Sequence, residues 1–564
     1  MTVGRKGTRH SEWCWLLLMA TVVLAMTSLP YLVAWSHETP QRRFGGCMLL
    51  VEDCYSYLGK MRQGADGAWL FHIPYTPESH PGTLLYPFYL VLGKIANLLP
   101  GADLALKLVL VYHLARVVLG AGFLVTVYRF LAALTQDVRT RRLAWLMVAI
   151  GGGLGWLLIM LGEVRWLGDM PLDLYFPEGF GFIALFGFPH VAAAQSLMFA
   201  GILALLRAWQ APSRAAAPAA SAAPPGAVDQ VTRGHDRAVP LKPLAWAAVT
   251  GIVWLLMGLI VPFYVPVAWA VSGAAWVGLH LRQRPALSGQ WREGLMAGVA
   301  ALISAPVVAY SAWVFTSDPV YAAWGSQNRI VSPHPLHYVA AYGIPLILAA
   351  VAAKETWQRE GWGWIAVCWV AVVPLLVYLP VNLQLRLTTG VQVPLSLLAA
   401  AGAMQLWERD HRKLAIALLS PMIPTALVIL ASSVAWMMAR PSPSFRDAAE
   451  VAALDWLAAH AEPQDVVLTA YDTGAYLPAR ANARVLVGHN LEAMDAEEKN
   501  EQVARFYRSG GDDAWRRQLL SGYGVDYVFW GRAERRLGRF DPRARTYLQE
   551  VYAAEDHIVF AVER

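Results

Sequence analysis

Trp13 to Ser36 reads WCWLLLMATVVLAMTSLPYLVAWS, a run of 24 residues with no Asp, Glu, Lys or Arg. A helix of that length crosses a hydrocarbon layer about 30 Å thick. Five more uncharged runs are long enough to do the same: Leu143 to Gly162, Gly294 to Ser317, Gly361 to Leu385, Leu387 to Trp407 and Leu414 to Ala439. Pro243 to Leu279 is also uncharged but far too long for one crossing, and Pro262 and Pro266 fall where a hairpin between two spans would turn. Three less uniform segments complete the set: Val109 to Leu134, which holds His113, Arg116 and Arg129; Phe188 to Leu206, which holds His190; and Pro335 to Ala353. The expectation is an α-helical polytopic membrane protein of about 11 transmembrane helices.

Composition agrees. Of 564 residues 57% are hydrophobic and 15% charged, too few charges to cover a soluble surface of this size. Lys and Arg concentrate in alternate loops: 1–12, 135–142, 207–242, 280–293, 354–360 and 408–413 hold 19, whereas 37–83, 163–189, 318–334 and 381–386 hold 7 over a greater length. Translocated loops are poor in basic residues, so the first set is expected in the cytoplasm, the N-terminus inside and the C-terminal part outside. The net charge of +6 then reports topology and leaves little basis for nucleic-acid binding. Arg5, Lys6 and Arg9 precede the first span as in a signal sequence, but no small-residue cleavage site closes it, which favours a retained anchor.

Two domains are expected. Residues 1–439 form a membrane domain with a first outer loop at 37–107 and an Ala/Pro-rich, disordered cytoplasmic linker at 210–240. Residues 440–564 form a soluble extracytoplasmic α/β domain: Ser444 can cap a helix reaching about His460; DVVLTAY, ARVLVG, VDYVFWG and HIVFAVE read as strands, with helices around Ala496–Tyr507 and Trp515–Leu520. Within the first outer loop, Leu84 to Leu99 reads as a helix lying at the membrane surface, where Tyr86, Phe88 and Tyr89 are suited, and Pro100-Gly101 ends it. Counting it as a span would place the basic stretch TQDVRTRR outside.

The most informative residues of that loop are adjacent acids, Glu52 and Asp53, in MLLVEDCYSYLGKMRQGADGAWL. Two carboxylates beside an apolar run can have displaced pKa values and serve as a base or bind a cation; the alternative is a pair of solvated loop acids. Cys47 and Cys54 bracket them, and six intervening residues permit a disulfide without demanding it. Cys14 and Cys368 lie in spans as small apolar residues. GGGLG at 151–155 has no preceding strand and no following Lys-Ser/Thr, so it reads as packing glycine rather than a nucleotide loop. GxSxG, HExxH and Walker sequences are absent, which removes support for hydrolase, zincin and ATPase readings.

In order and spacing these features resemble the GT-C superfamily of polytopic glycosyltransferases, which includes aminoarabinose transferases, protein O-mannosyltransferases and oligosaccharyltransferases. One span leads into a large outer loop that opens with an acidic motif, Glu52 and Asp53 followed by Tyr57; GAWL follows; HPGTLLYPFYLVLGK is similar to the family's proline-bearing juxtamembrane helix; and the second span carries Arg116. FRDAAEVAALDWL and the GHN turn at Gly488 to Asn490 resemble bacterial members with an outer C-terminal tail. The acidic pair runs Glu-Asp where the family often has Asp-Glu; Asp53 places Tyr57 at the family's spacing and is taken as the base, with Glu52 beside it. The resemblance implies a bacterial plasma-membrane enzyme that moves a sugar, with inversion, from a polyprenyl-phosphate donor to a lipid, glycan or protein acceptor outside.

That chemistry is physically coherent. Outside the plasma membrane no nucleotide sugar is available, and a phosphate leaving group needs cations to hold its charge more than it needs a general acid. A carboxylate is still required to orient and deprotonate the incoming hydroxyl. Arg386, in a short outer loop between two uncharged spans, ranks first as a phosphate ligand, followed by Arg329 in WGSQNRIVSPH and Arg116, with Lys60 and Arg62 as further candidates. Snorkelling at the interface accounts equally well for any one of them alone. Tyr57, Glu78, His80, Glu178 and His190 are candidates to line the same outer cavity, and the last four could alternatively bind a divalent metal; their spacing matches no zinc motif, and solvated acids and capping histidines account for those four more readily. No metal or cofactor is therefore assigned, although magnesium or manganese stays open by analogy with oligosaccharyltransferases. A transporter or flippase of lipid-linked sugars would use the same cavity without a base, and a non-catalytic scaffold would use neither. Paired interrupted repeats, the mark of a transporter, are not seen.

Overall fold

The computed structural model describes residues 10–210, 242–283, 291–510 and 512–563. Arg5, Lys6 and Arg9 and the 210–240 linker, apart from its first residue, lie outside the described residues. Among those described, eight helices are long and apolar enough to cross a membrane: His10–Ser36 (α1), Leu104–Leu134, Pro189–Gln210, Pro243–Ile260, Tyr264–Arg282, Trp291–Ser317, Pro335–Gln358 and Arg412–Met438. The chain is thus a multi-pass membrane protein, and the uncharged stretch from Pro243 divides at the proline-bearing turn as expected.

The three other expected spans are shorter helices, each with a local cause. Val138–Ile150 stops at Gly151, and the chain resumes helically only at Gly155–Met160. The break is held by the buried Asp173 carboxylate, whose Oδ2 accepts from the backbone N–H of Gly153 at 2.8 Å and of Gly155 at 3.1 Å and from the Thr425 hydroxyl at 2.8 Å. The glycines expected to pack inside a span thus interrupt it, because their amides have a better partner in Asp173 than in the next helical turn. Trp364–Leu376 starts after Gly361–Gly363 and carries Pro374 in its last turn. From there the chain passes through a 3₁₀ turn, Leu385–Thr388, before Gln392–Glu408.

Beyond α1 the chain folds into two helices, Val51–Ala65 (α2) and Pro87–Leu98 (α3), followed by Leu104–Leu134 (α4). The α3 helix matches the segment expected at the membrane surface. It lies tight on α2: a Cβ added to Gly93 would fall 1.8 Å from the Met61 carbonyl oxygen, and one on Gly64 would fall 2.1 Å from that of Leu90. Only glycine permits this approach. A disulfide joins Cys47 to Cys54, with Cα atoms 5.9 Å apart, and ties the incoming chain to the first turn of α2.

The C-terminal region contains a five-stranded sheet. Strand β1 (Arg42–Phe44) belongs to the outer loop and pairs antiparallel with β2 (Phe445–Asp447), Arg42 opposite Asp447 and Phe44 opposite Phe445. The sheet proper has the order β4-β3-β5-β7-β6, from β3 (Val466–Leu468), β4 (Arg484–Val485), β5 (Val525–Trp530), β6 (Leu548–Ala554) and β7 (His557–Val562). Strands β4, β3 and β5 run parallel; β7 and β6 are antiparallel. The four strands expected from sequence are β3, β4, β5 and β7, and the helix Ala496–Tyr507 has the expected bounds. The edge strand β6, with several exposed side chains, gave no clear pattern, and β1 and β2 exist only because each has the other. Helix Ala448–His460 begins after Asp447 rather than at Ser444, because residues 445–447 are drawn into β2. One hydrophobic core fills the helical bundle; a second is built from α2, α3 and the C-terminal region together.

Candidate active site

Between these two cores lies a cavity of about 540 Å³. Its walls differ. On one side the hairpin around Ile260–Pro262 and Val307–Val308 of helix Trp291–Ser317 present apolar side chains. On the other, Asp53 and Tyr57 of α2 meet Glu178, His190, Arg386 and the turn that holds His489 and Glu492. Asp53 and Tyr57 are four residues apart, so one face of α2 delivers both.

Asp53 is partly open to the cavity, its side chain 37% exposed, whereas His489 is buried at 7%. His489 Nε2 lies 3.3 Å from Asp53 Oδ1. Burial would push the Asp53 carboxyl up, but the hydrogen bond and charge of His489, with Arg386 and Lys60 beyond, hold it below the usual carboxylate range. Burial alone would lower His489; Glu492 and Asp53 overcome it and raise the imidazole above its ordinary value. Each charge favours the other.

The same turn is anchored on α2. Glu492 Oε1 accepts from Lys60 Nζ at 2.7 Å and from the Ser56 hydroxyl at 2.8 Å, and Lys60 also donates to Ser56. Lys60, fully buried, lies 4.4 Å over the Tyr86 ring. Burial disfavours the Glu492 carboxylate, yet Lys60 and His489 keep its pKa low. The turn reaches this depth because Gly488, at φ +153°, lets its backbone lie against Gly474: a Cβ there would fall 2.4 Å from the Gly474 carbonyl carbon.

Arg386 Nε lies 3.6 Å from Glu178 Oε1, with the guanidinium 5.3 Å from the Phe263 ring centroid. Tyr57 stacks on Tyr89 at 4.6 Å, and the Tyr89 hydroxyl meets His190 Nδ1 at 2.7 Å. The structure therefore brings five of the residues singled out from sequence, Asp53, Tyr57, Glu178, His190 and Arg386, to one cavity.

The others lie elsewhere. Glu52 is exposed and accepts from the Tyr471 hydroxyl at 2.8 Å. The charge of Lys60 is taken by Glu492 as described. Arg62 pairs with Asp66 at 3.1 Å and donates to the Arg480 carbonyl. Glu78 lies 2.6 Å from Lys499 and ties the loop to the C-terminal region, while His80 accepts from the Ile73 N–H and bonds the Glu78 carbonyl within the loop itself. Arg116 is buried in the bundle, donating to Thr27, Ser28 and the Leu185 carbonyl. Arg329 is exposed and outside the lining. Sequence reasoning singled out neither His489 nor Glu492 as a site residue. His489 sits in the quoted GHN turn, but it lies 436 residues from Asp53 along the chain, and no local pattern could join them.

Among the described residues no group of three or more His, Cys, Asp and Glu side chains could hold a metal ion. Within the cavity Asp53 already faces His489 and Glu178 faces Arg386, a donor set that does not fit a divalent cation.

No family model matches the chain, and no curated protein sequence matches it. Solved structures do. ArnT from Cupriavidus metallidurans, bound to undecaprenyl phosphate, aligns at TM-score 0.50 and 12% identity over 96% of this chain and 98% of its own. The archaeal oligosaccharyltransferase AglB from Archaeoglobus fulgidus, in complex with an inhibitory peptide and a dolichol-phosphate, aligns at TM-score 0.52 and 13% identity over 92% of this chain and 70% of its own. Both are GT-C glycosyltransferases, and this chain has the GT-C fold.

Proposed function

We propose that this GT-C chain is a glycosyltransferase of a bacterial plasma membrane, with the N-terminus in the cytoplasm and the C-terminal region outside. It would move one sugar from a polyprenyl-phosphate donor to an extracytoplasmic lipid, glycan or protein acceptor. The observation that carries the reading is that a partly exposed carboxylate, Asp53, and one arginine, Arg386, line the same cavity as a group of apolar side chains, Leu259 to Pro262 and Val307–Val308 among them.

A polyprenyl tail fits the apolar side. Ile252, Leu256 and Leu302 are exposed on the two helices that form it, continuing an apolar surface from the cavity along the bundle. The phosphate would then meet Arg386, whose charge Glu178 only partly offsets at 3.6 Å. ArnT was solved with undecaprenyl phosphate and AglB with a dolichol-phosphate, which supports a lipid phosphate as the ligand class. A groove of about 1160 Å³ lined by Asn490, Glu497, Glu501 and Arg505 has Leu491 in common with the cavity lining and is where a polar acceptor would approach.

In the reaction, the acceptor hydroxyl gives its proton to Asp53 as its oxygen bonds the anomeric carbon. The bond from that carbon to the phosphate oxygen breaks, and its electron pair leaves with the polyprenyl phosphate beside Arg386. Direct displacement inverts the anomeric carbon.

The deciding experiment offers radiolabelled polyprenyl-phosphate sugars to the purified chain in lipid nanodiscs. Asp53→Asn is expected to lower transfer about 10³-fold with donor binding retained. Binding without turnover across the panel, unchanged by Asp53→Asn, would replace the enzyme with a transporter or scaffold.

A further inference from the structure

We propose that His489 is a positioning residue for Asp53, so that the active site is completed by a turn of the C-terminal region rather than by the membrane bundle and its first outer loop alone. This rests on the reading of Asp53 as the base, and the test below separates the two.

Three contacts place the turn on one face of one helix. Asp53, Ser56 and Lys60 stand at intervals of three and four residues along α2, which aligns them. His489 meets the first at 3.3 Å; Glu492 meets the second at 2.8 Å and the third at 2.7 Å. The Glu492 contacts are a buried, hydrogen-bonded clamp that fixes the turn against α2, and His489 is thereby held where its Nε2–H points at Asp53 Oδ1. With Oδ1 occupied, Oδ2 is the oxygen left to take the acceptor proton. An unheld Asp carboxylate rotates about its terminal torsion, and a misplaced base loses rate.

The groups around His489 set its charge. Asp53 and Lys60 face it from α2, Glu492 from its own turn, and the Tyr75 ring packs at 5.4 Å. The two carboxylates outweigh Lys60 and burial and raise the ring above its ordinary value, while its buried Nδ1 has no hydrogen-bond partner among the described residues. An imidazolium weakens Asp53 as a base while orienting it, a compromise that suits a phosphate leaving group, because departure then demands little push from the nucleophile. The sign follows. The charge of His489 is present while the ring is protonated and is lost as pH rises through its raised pKa, while a neutral ring with its proton on Nε2 keeps the hydrogen bond; Asp53 is the competent carboxylate until pH falls through its lowered one.

The test uses the full chain in nanodiscs and the donor sugar that wild type turns over. His489→Gln keeps an N–H donor without a charge, and His489→Ala removes both. The expected order of kcat is wild type, then His489→Gln, then His489→Ala at about 100-fold below wild type, with donor KM changed less than threefold. Wild type alone should show an alkaline limb in kcat, where His489 loses its charge, and in both variants the acid limb should move upward. Persistence of the alkaline limb in His489→Gln, or wild-type kcat in His489→Ala, overturns the proposal. A second readout is independent of turnover: in protein with ¹³C-labelled histidine, the signal missing from His489→Gln identifies the ring among 14 histidines. Its titration should move to lower pH in Asp53→Asn. An unmoved titration overturns the coupling even where transfer is observed; a moved titration without transfer by wild type retains the coupling and removes the base assignment.

Discussion

Two positions on α2, Asp53 and Lys60, lie about two turns apart, and both are charged residues of one outer loop. Asp53 keeps an oxygen toward a cavity; Lys60 is sealed between Glu492, Ser56 and the Tyr86 ring. The same division separates the arginines. Arg386 borders the cavity with an incomplete partner, whereas Arg62, Arg116 and Arg446 spend most of their donors on carbonyls, hydroxyls and carboxylates inside the protein, away from that cavity, even though Nε of Arg116 and of Arg446 has no partner among the described residues. Residue type alone does not mark a functional charge in such a protein. A charge with unfilled hydrogen-bonding capacity at a cavity can act on a ligand, and a filled one holds the fold together.

That contrast can be broken by experiment. Glu492→Ala strands the buried Lys60 cation and should destabilise the chain by about 3–5 kcal/mol, read as a lower unfolding temperature in nanodiscs, while Lys60→Met with Glu492→Met recovers most of it. Because the Glu492 carboxyl is depressed, the clamp is present above the unfolded carboxyl range and weakens as pH falls below about 4. Recovery failing in the double variant would show that the turn does more than neutralise Lys60. Arg386→Ala should weaken donor binding about 10- to 100-fold in equilibrium binding of the lipid phosphate, with Arg62→Ala unchanged in the same assay. Equal losses in both would erase the distinction between cavity and docking charges. The smallest effect belongs to Glu52→Gln, which should stay within about twofold of wild type in transfer, since its carboxylate meets only the Tyr471 hydroxyl at an exposed position. A loss comparable with Asp53→Asn would move the base to Glu52.

Hydrophobic runs made most of the bundle legible, because a helix in lipid must satisfy its backbone internally and so announces itself by length and absence of charge. The exceptions arose where a side chain from elsewhere competed: Asp173 splits the helix that begins at Val138, and no feature of residues 143–162 announces a carboxylate at 173 as the partner. Strands β3, β5 and β7 were readable from their own alternation or apolar content, whereas β1 and β2 had no signal shorter than their pairing across 405 residues. In the cavity, Asp53, Tyr57, Glu178, His190 and Arg386 were singled out by residue type and by resemblance. Lys60, Arg62 and Arg116 look the same by those standards, and only their partners distinguish them.

The sequence by itself determined a polytopic helical chain, the approximate extent of most of its spans, and a C-terminal region of helices and strands, because each depends on local composition and period. Tertiary structure alone decided which carboxylate faces a cavity, which arginine stands near it, and that a histidine from the far end of the chain closes on Asp53. Those outcomes depend on burial and on partners hundreds of residues away, and local sequence carries no information about a hydrogen bond whose other half lies in another part of the fold.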